Sequence, residues 1–234
     1  RRVGEFLGQV LREREVAPRA VVMCVPRGQA VLKPLTLPPG TGWDEIPGMV
    51  QFQMSKELPF RPEEAVIDFA VERHYEPEPE DEESESRGVN VLVAAVRLPV
   101  VDYYRHVADA AKVKLQRLGL RPHANQGCVE RCEPPAGGDG ALAVVHLTAD
   151  ETEIDVLAGA SLAFSRAAMS RFGQAEQKPE EVSAERTVDA VVTEASRSLQ
   201  SFETVRRGAR IARVLVAGGT GMEDRLAVRL GERF

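Results

Sequence analysis

Two stretches of the sequence carry residue types that suit anion or nucleotide binding. The first is the turn Gly218, Gly219, Thr220 and Gly221, which follows the apolar run Val214–Ala217 and precedes a helical pattern. A glycine-rich turn between a strand and a helix lets backbone amides approach a phosphate at the helix N-terminus. Such turns also recur without ligands, so a plain strand–helix turn is the other interpretation.

The second stretch is His146–Thr152, which lies between valine-rich runs. The short β-rich runs Ala141–Leu147, Thr152–Leu157 and Ser161–Arg166 are typical of antiparallel strands joined by tight turns. A phosphate-binding turn here would need a glycine. A β-branched residue, Thr148, takes that place, and the acidic residues after it repel a phosphate. We interpret His146 itself as a hydrogen-bonded structural histidine near the core.

A hairpin followed by strand, GGTG turn and helix resembles the second half of the actin/Hsp70-type ATPase fold. In that superfamily the hairpin turn reads Asp-x-Gly-x-x-x-Thr, and of this motif the present chain keeps only Thr152. The resemblance therefore implies a degenerate nucleotide site, without a catalytic residue or a cofactor, ATP with Mg²⁺ being the alternative. Its candidate residues are Thr148, Thr152, Gly218, Gly219, Thr220 and Gly221.

The composition is that of an ordinary soluble globular protein, with 234 residues, 43% hydrophobic and 28% charged. The net charge of −6 is concentrated in Glu76–Ser86, which holds seven acidic side chains and is predicted to be a solvated loop. The sequence lacks the basic face that is typical of a nucleic-acid-binding protein. No apolar run approaches the roughly 20 residues that span a bilayer. The cysteines Cys24, Cys128 and Cys132 lack a second Cys/His pair, so we predict no metal site and a reduced, cytoplasmic protein.

Apolar periodicity predicts a mixed α/β chain. Residues 2–15 and 43–57 have helical spacing, while 19–25 and 30–37 are predicted strands that a turn would pair as a hairpin. Pro34 in the second strand indicates an edge position. The other predicted elements are strands at 65–72, 89–96, 141–147, 152–157, 161–166 and 214–217, a helix from about 99 that ends at Gly119, an extended piece at 120–123, and a helix at 185–203.

Over nearly the whole chain, the order of elements resembles PilM, the cytoplasmic actin-like protein of type IV pilus assembly and a relative of the division protein FtsA. The most specific part is Leu58-Pro59-Phe60, followed by Glu63-Glu64 and Asp68-Phe69 and then by VLVAA at 91–95. The resemblance implies an actin-like, ribonuclease-H-like α/β fold with two lobes. The first phosphate loop of that fold has no counterpart in the sequence. The implied domains are 1–39 in the first lobe, an inserted αβ subdomain at 40–119, a return to the first lobe with a linker at 120–139, and a second lobe at 140–234.

In that family, a groove beside the inserted subdomain takes the cytoplasmic N-terminal peptide of the membrane protein PilN. The resemblance implies a cytoplasmic scaffold that reaches the inner membrane only through this partner and binds no nucleic acid. The sequence leaves both a monomer and a homo-oligomer as alternatives. Two alternatives are an active pilus-assembly ATPase and the cytoplasmic domain of a type II secretion protein. The candidate groove lies between strand 30–37 and helix 43–57, and its residues are Leu35, Leu37, Trp43, Val50, Leu58 and Phe60.

Overall fold

The computed structural model describes residues 1–17, 20–71, 88–132, 140–159, 161–170, 181–205 and 210–233. These form two compact units: unit 1 comprises Arg1–Val25 and Gln29–Gly119, and unit 2 comprises Pro26–Gly28 and Leu120–Phe234. In chain order the elements are α1 (Arg2–Glu13), β1 (Val21–Val25), β2 (Ala30–Leu37), α2 (Ile46–Glu57), β3 (Ala65–Val71), β4 (Val89–Arg97), α3 (Leu98–Ala111), β5 (Leu115–Leu120), α4 (Arg121–Cys132), β6 (Ala141–Leu147), β7 (Glu151–Ala158), β8 (Ser161–Met169), α5 (Glu181–Val205), β9 (Ile211–Gly218) and α6 (Glu223–Gly231).

In unit 1, a three-stranded antiparallel sheet has the order β2-β4-β3. The central strand β4 pairs with β2 along its whole length, from Ala30 opposite Val96 to Leu37 opposite Val89. Among the described residues, β2 therefore has a strand partner on one side only. This is the edge position that a proline within a strand favours, and Pro34 lies in β2.

Helix α2 covers one face of this sheet because its apolar residues recur at every fourth position. Ile46, Val50 and Met54 point inward and are buried, and each such burial contributes about 1.5–3 kcal/mol. The buried strand residues of the same cluster are Leu37, Val91, Val93 and Ala95. The small α/β layer thus has a hydrophobic core of its own.

Helices α1 and α3 of unit 1 pack closely, and glycines on α1 make this approach possible. A Cβ atom on Gly4 would lie 2.4 Å from the carbonyl oxygen of Val107 and 2.7 Å from the Cβ atom of Ala110. A Cβ atom on Gly8 would lie 2.9 Å from the carbonyl oxygen of Ala111. Both distances to backbone are too short for a side chain, so the two helices meet backbone to backbone.

In unit 2, a four-stranded sheet has the order β8-β7-β6-β9, with β9 parallel to β6 and the other pairs antiparallel. The predicted strands around the hairpin are therefore present as antiparallel neighbours. Residues of β7 alternate in environment, because Ile154 and Val156 enter the apolar core beneath α5 and α6. Glu153 and Asp155 point to the opposite face, where residues of α4 meet them.

The predicted hairpin of strands 19–25 and 30–37 is wrong. Strand β1 pairs with β5, and β2 pairs with β4. A short 3-10 turn, Arg27–Gln29, separates β1 from β2 where a tight hairpin turn was expected. The backbone N–H of Arg27 bonds Glu153 instead, so the chain turns away from a hairpin register.

The predicted long helix ending at Gly119 is also wrong. Helix α3 ends at Ala111, because Lys112 adopts the left-handed conformation and its N–H returns to the carbonyls of Ala108 and Asp109. The predicted extended piece at 120–123 is instead the start of helix α4. This helix belongs to unit 2 because it packs on β7 and β8. The sequence assigned 120–139 to the first lobe.

Within the described residues, no helix is long and apolar enough to cross a membrane. The same part of the chain contains no cluster of three or more potential metal ligands. The predicted acidic loop Glu76–Ser86 lies outside the described residues, as do residues 133–139 of the linker.

Candidate functional site

The carboxyl ends of β6 and β9 lie together at one end of the unit 2 sheet, which we call its carboxyl edge. These strands are parallel neighbours, with His146 opposite Ala217 and Leu147 opposite Gly218. In open α/β sheets, ligands bind outside the carboxyl ends of parallel strands. The hairpin turn that begins at Thr148 and the glycine-rich turn after β9 therefore meet at this edge, as a nucleotide site would require.

Gly218 is required by the close approach of the two strand ends. It has a φ of +151°, and a Cβ atom there would lie 2.5 Å from the carbonyl oxygen of Leu147 and 2.6 Å from Oε1 of Glu223. No other residue fits without moving the backbone or displacing the carboxylate. The glycine thus admits a carboxylate of the protein itself into the turn.

Glu223 occupies the polar donors of the glycine-rich turn. Its Oε1 accepts hydrogen bonds from the backbone N–H of Thr220 at 2.7 Å and from the Thr220 hydroxyl at 2.9 Å. The Thr220 oxygen in turn accepts the N–H of Met222 at 3.2 Å, an arrangement close to a helix capping box. Burial alone would raise the pKa of Glu223, but bonds from Thr220, Gly221 and its own N–H lower it. A phosphate entering this turn would have to displace an ionised carboxylate.

The two candidate threonines of the hairpin are committed to bonds within unit 2. The Thr148 hydroxyl accepts the N–H of Glu151 at 3.1 Å and donates to its carbonyl oxygen at 2.8 Å. The Thr152 hydroxyl is buried and donates to the hydroxyl of Ser170 at 2.9 Å. Thr148 thus closes the hairpin turn on itself, and the buried hydroxyl of Thr152 is committed to Ser170.

The electrostatics of the edge disfavour an anion. Asp150, Glu151 and Glu223 bring three carboxylates to it. Burial lowers the pKa of His146, and the positive charge of Arg121 lowers it further against the opposing pull of Glu151 and Glu223. A neutral, half-buried His146 adds no positive charge at neutral pH. Its Nδ1 atom is buried and has no hydrogen-bond partner among the described residues, so the predicted hydrogen bond is not found at this atom.

The six candidate residues for peptide binding all lie in unit 1, around the cluster beneath α2. Leu37 and Val50 are each 1% exposed, so they cannot touch a ligand without opening the core. The half-buried residues at the rim of the cluster are Leu35, Leu58 and Phe60, and the exposed residue is Trp43, at 77%. The Lys33 ammonium on β2 pairs with the Glu57 carboxylate at the end of α2, so this ion pair connects β2 with α2 at the rim of the cluster.

The family model described as type IV pilus assembly protein PilM matches residues 1–182. This is well over half of the chain. The chain belongs to the PilM family. The family that the sequence resembles is thereby confirmed.

Two solved structures resemble this PilM family member over almost all of its length. The PilM–PilN type IV pilus biogenesis complex matches with a TM-score of 0.78 and 20% identity, covering 98% of this chain and 72% of that chain. The cytoplasmic domain of EpsL, an inner membrane component of the type II secretion system of Vibrio cholerae, matches with a TM-score of 0.53 and 13% identity, covering 97% of this chain and 80% of that chain. At these identities the likeness concerns the fold, and the predicted α/β fold of the PilM type is confirmed.

Sequence reasoning missed the residues that fill the candidate sites of this family member. The spacing Thr220-x-x-Glu223 is a capping-box signal that points to the occupied turn. Glu153 and Asp155 interrupt an otherwise apolar strand, a signal of buried charge that needs partners. Those partners, among them Arg27 and Arg121, are distant in sequence and carry no local signal.

Proposed function

We propose that this PilM family protein is a scaffold of pilus assembly that docks an extended peptide of a PilN-like inner-membrane partner through unit 1. The peptide is the partner's cytoplasmic N-terminal segment, so the protein works in the cytoplasm and reaches the membrane through the partner. Membership of the PilM family and the likeness to the PilM of the PilM–PilN complex support this proposal.

The observation that carries the docking proposal is the edge position of β2. Its pairing with β4 uses one side of the strand, and the described residues place no strand on the other. A peptide can add to such an edge through backbone hydrogen bonds, with alternate side chains entering pockets beside the strand. Leu35 lies half buried at the rim of the apolar cluster, where an apolar side chain of the peptide would enter.

The nucleotide site of unit 2 is degenerate in this proposal. The carboxylate of Glu223 holds the Thr220 N–H that an incoming phosphate would need, and Thr148 replaces the glycine of the hairpin motif. Displacing an ionised carboxylate by a second anion yields little net interaction. The protein therefore serves assembly through peptide binding rather than through ATP hydrolysis.

Fluorescence anisotropy tests the docking with a labelled peptide from the cytoplasmic N-terminus of the inner-membrane protein encoded in the same operon. We expect moderate affinity with little salt dependence, because the contacts are backbone hydrogen bonds and apolar side chains. Leu35→Glu should abolish binding. Val66→Glu is the matched control, since Val66 lies on the other edge strand, β3, and is 44% exposed.

Absence of binding by the native protein at high micromolar peptide would overturn the docking proposal. Equal binding by native protein and a folded Leu35→Glu variant would move the site away from β2. Circular dichroism and thermal unfolding establish that both variants are folded before the peptide is added.

A further inference from the structure

The face of the unit 2 sheet opposite its apolar core carries buried charge. Glu153 and Asp155 of β7 are both 0% exposed, which is rare for carboxylates unless they are paired. Two guanidinium groups meet them, those of Arg27 in the segment Pro26–Gly28 and Arg121 at the start of α4. These side chains form a polar layer that we call the β7 charge layer.

Glu153 lies at the centre of the β7 charge layer and is only half satisfied. Its Oε1 accepts the backbone N–H of Arg27 at 2.6 Å and lies 3.3 Å from Nη1 of Arg121. The same Nη1 atom lies 3.5 Å from Oε1 of Glu151. The other oxygen of Glu153, Oε2, is buried and receives no hydrogen bond from any described residue.

Asp155, in contrast, is fully bonded. Its Oδ2 accepts the side-chain amide of Asn125 at 2.9 Å, and its Oδ1 accepts the hydroxyl of Ser165 at 2.7 Å. The guanidinium of Arg27 donates from Nε and Nη2 to the carbonyl oxygen of Ser165, at 3.2 and 3.1 Å. The segment that carries Arg27 is therefore held on the sheet by three hydrogen bonds, one to Glu153 and two to Ser165.

The charges of the layer do not cancel if every group is ionised. The carboxylates of Glu151, Glu153 and Asp155 contribute −3 and the guanidiniums of Arg27 and Arg121 contribute +2, so the sum is −1. One proton restores neutrality, and the oxygen of Glu153 that lacks a donor is its natural place. Glu151 lies within hydrogen-bonding reach of Glu153, and two carboxyl groups in contact are joined by a shared proton.

Among the described residues, two histidines also face the layer. The charge of His123 in α4 lowers the pKa of Asp155. His146 lies near Arg121 and Glu151. Burial lowers the pKa of His146, which keeps it neutral while the layer holds its proton. The neutrality of the layer therefore depends on the carboxyl pair.

We propose that Glu153 and Glu151 share one proton and that this proton holds the segment Pro26–Gly28 on the unit 2 sheet. When the proton leaves to solvent, the layer gains an uncompensated negative charge beside the Arg27 N–H bond. The segment lies directly beside the Glu151 carboxylate, since a Cβ atom on Gly28 would lie 2.4 Å from Oε2 of Glu151. The segment then detaches from unit 2. Burial raises the pKa of Glu153 to about 8, so detachment occurs on the alkaline side.

Amide hydrogen exchange of Arg27, followed by NMR on the full chain, tests this proposal. We expect the protection factor of the Arg27 N–H, corrected for intrinsic exchange, to fall about tenfold for each pH unit above the transition. The variant Glu153→Gln cannot ionise and should show no such fall. In the control Glu194→Gln, the Arg27 protection factor should depend on pH as in the native protein, because Glu194 pairs with Arg166 away from the layer.

Carbon-13 NMR of glutamate-labelled native protein provides a second measurement that needs no variant. Titration of the Glu153 carboxyl together with the loss of Arg27 protection supports the proposal. Titration of Glu153 in the ordinary glutamate range near 4.5 would overturn it. So would an Arg27 protection factor that does not change with pH in the native protein, or one that falls equally in Glu153→Gln.

Discussion

The carboxylate of Glu223 accepts hydrogen bonds from both the backbone N–H and the hydroxyl of Thr220, at 2.7 and 2.9 Å. These two donors belong to the turn where a nucleotide phosphate or sugar would be expected. A single side chain thus occupies both donors of the turn that precedes α6. In the proposed function, the turn fixes α6 against β9 and does not hold an anion.

The first prediction is that the protein does not bind ATP–Mg²⁺ tightly. The turn is occupied by Glu223, and the hairpin turn is closed by the Thr148 hydroxyl. Isothermal titration calorimetry with a non-hydrolysable ATP analogue should give no saturable heat in the micromolar range. A micromolar dissociation constant would contradict the degenerate site and favour an active ATPase.

The second prediction concerns the stability that the hydrogen bonds between Glu223 and Thr220 provide. Glu223→Ala should lower the free energy of unfolding by about 1 kcal/mol, the usual net contribution of a hydrogen bond. Asp224→Ala is the matched control in the same first turn, because Asp224 is exposed and its loss removes only about 0.3–1 kcal/mol of helix-dipole interaction. Urea denaturation measures both. A Glu223→Ala effect no larger than that of Asp224→Ala would mean that the bonds to Thr220 contribute nothing.

Elements with strong local signals could be predicted from the sequence. The three strands around the hairpin and the strand–turn–helix at the C-terminus have alternating or apolar runs with clear turn residues, and the structure contains them. Helix α4 could not be predicted, because RPHANQGCVERC has little apolar periodicity and contains a glycine. It is stabilised by contacts with β7 and β8, which come later in the chain.

The end of α3 and the partners of β1 depend on tertiary structure for similar reasons. A lysine, Lys112, takes the left-handed position that a glycine usually signals. Strand β1 and its partner β5 are about 90 residues apart, a pairing that no local pattern encodes. For the candidate site, the sequence identified the turn at 218–221 but could not show that Glu223 fills it.

The third prediction tests the close packing of α1 on α3. Gly4→Ala should destabilise the protein, because the added Cβ atom would lie 2.4 Å from the carbonyl oxygen of Val107. Gly48→Ala is the matched control: Gly48 lies in the exposed face of α2, with no atom within 4 Å of the added Cβ atom. It should stabilise the protein by about 0.5–1 kcal/mol through helix propensity. Thermal unfolding of both variants gives the comparison. Similar shifts of the same sign in the two variants would contradict the close helix contact.

The fourth prediction is a pH dependence of stability that originates in Glu153. Burial is the main cause that raises the pKa of Glu153 to about 8, and the nearby carboxylates Glu151 and Asp155 raise it further. Burial also raises the pKa of Asp155. Both groups bind their protons more tightly in the folded state than in the unfolded chain. The stability from the Glu153 proton is therefore fully present below about pH 4.5 and is lost as the pH rises through about 8.

Glu153→Gln removes this titration and keeps the size of the side chain. Its free energy of unfolding relative to the native protein should rise with pH between about 4.5 and 8, by at most about 1.4 kcal/mol for each pH unit. Guanidinium denaturation of both proteins across this range measures the difference, and Glu194→Gln, which removes the ion pair with Arg166, serves as the control. A difference between Glu153→Gln and native protein that stays constant with pH would show that Glu153 is already ionised in the folded state. The negative charge of the β7 charge layer would then have to be compensated by other groups.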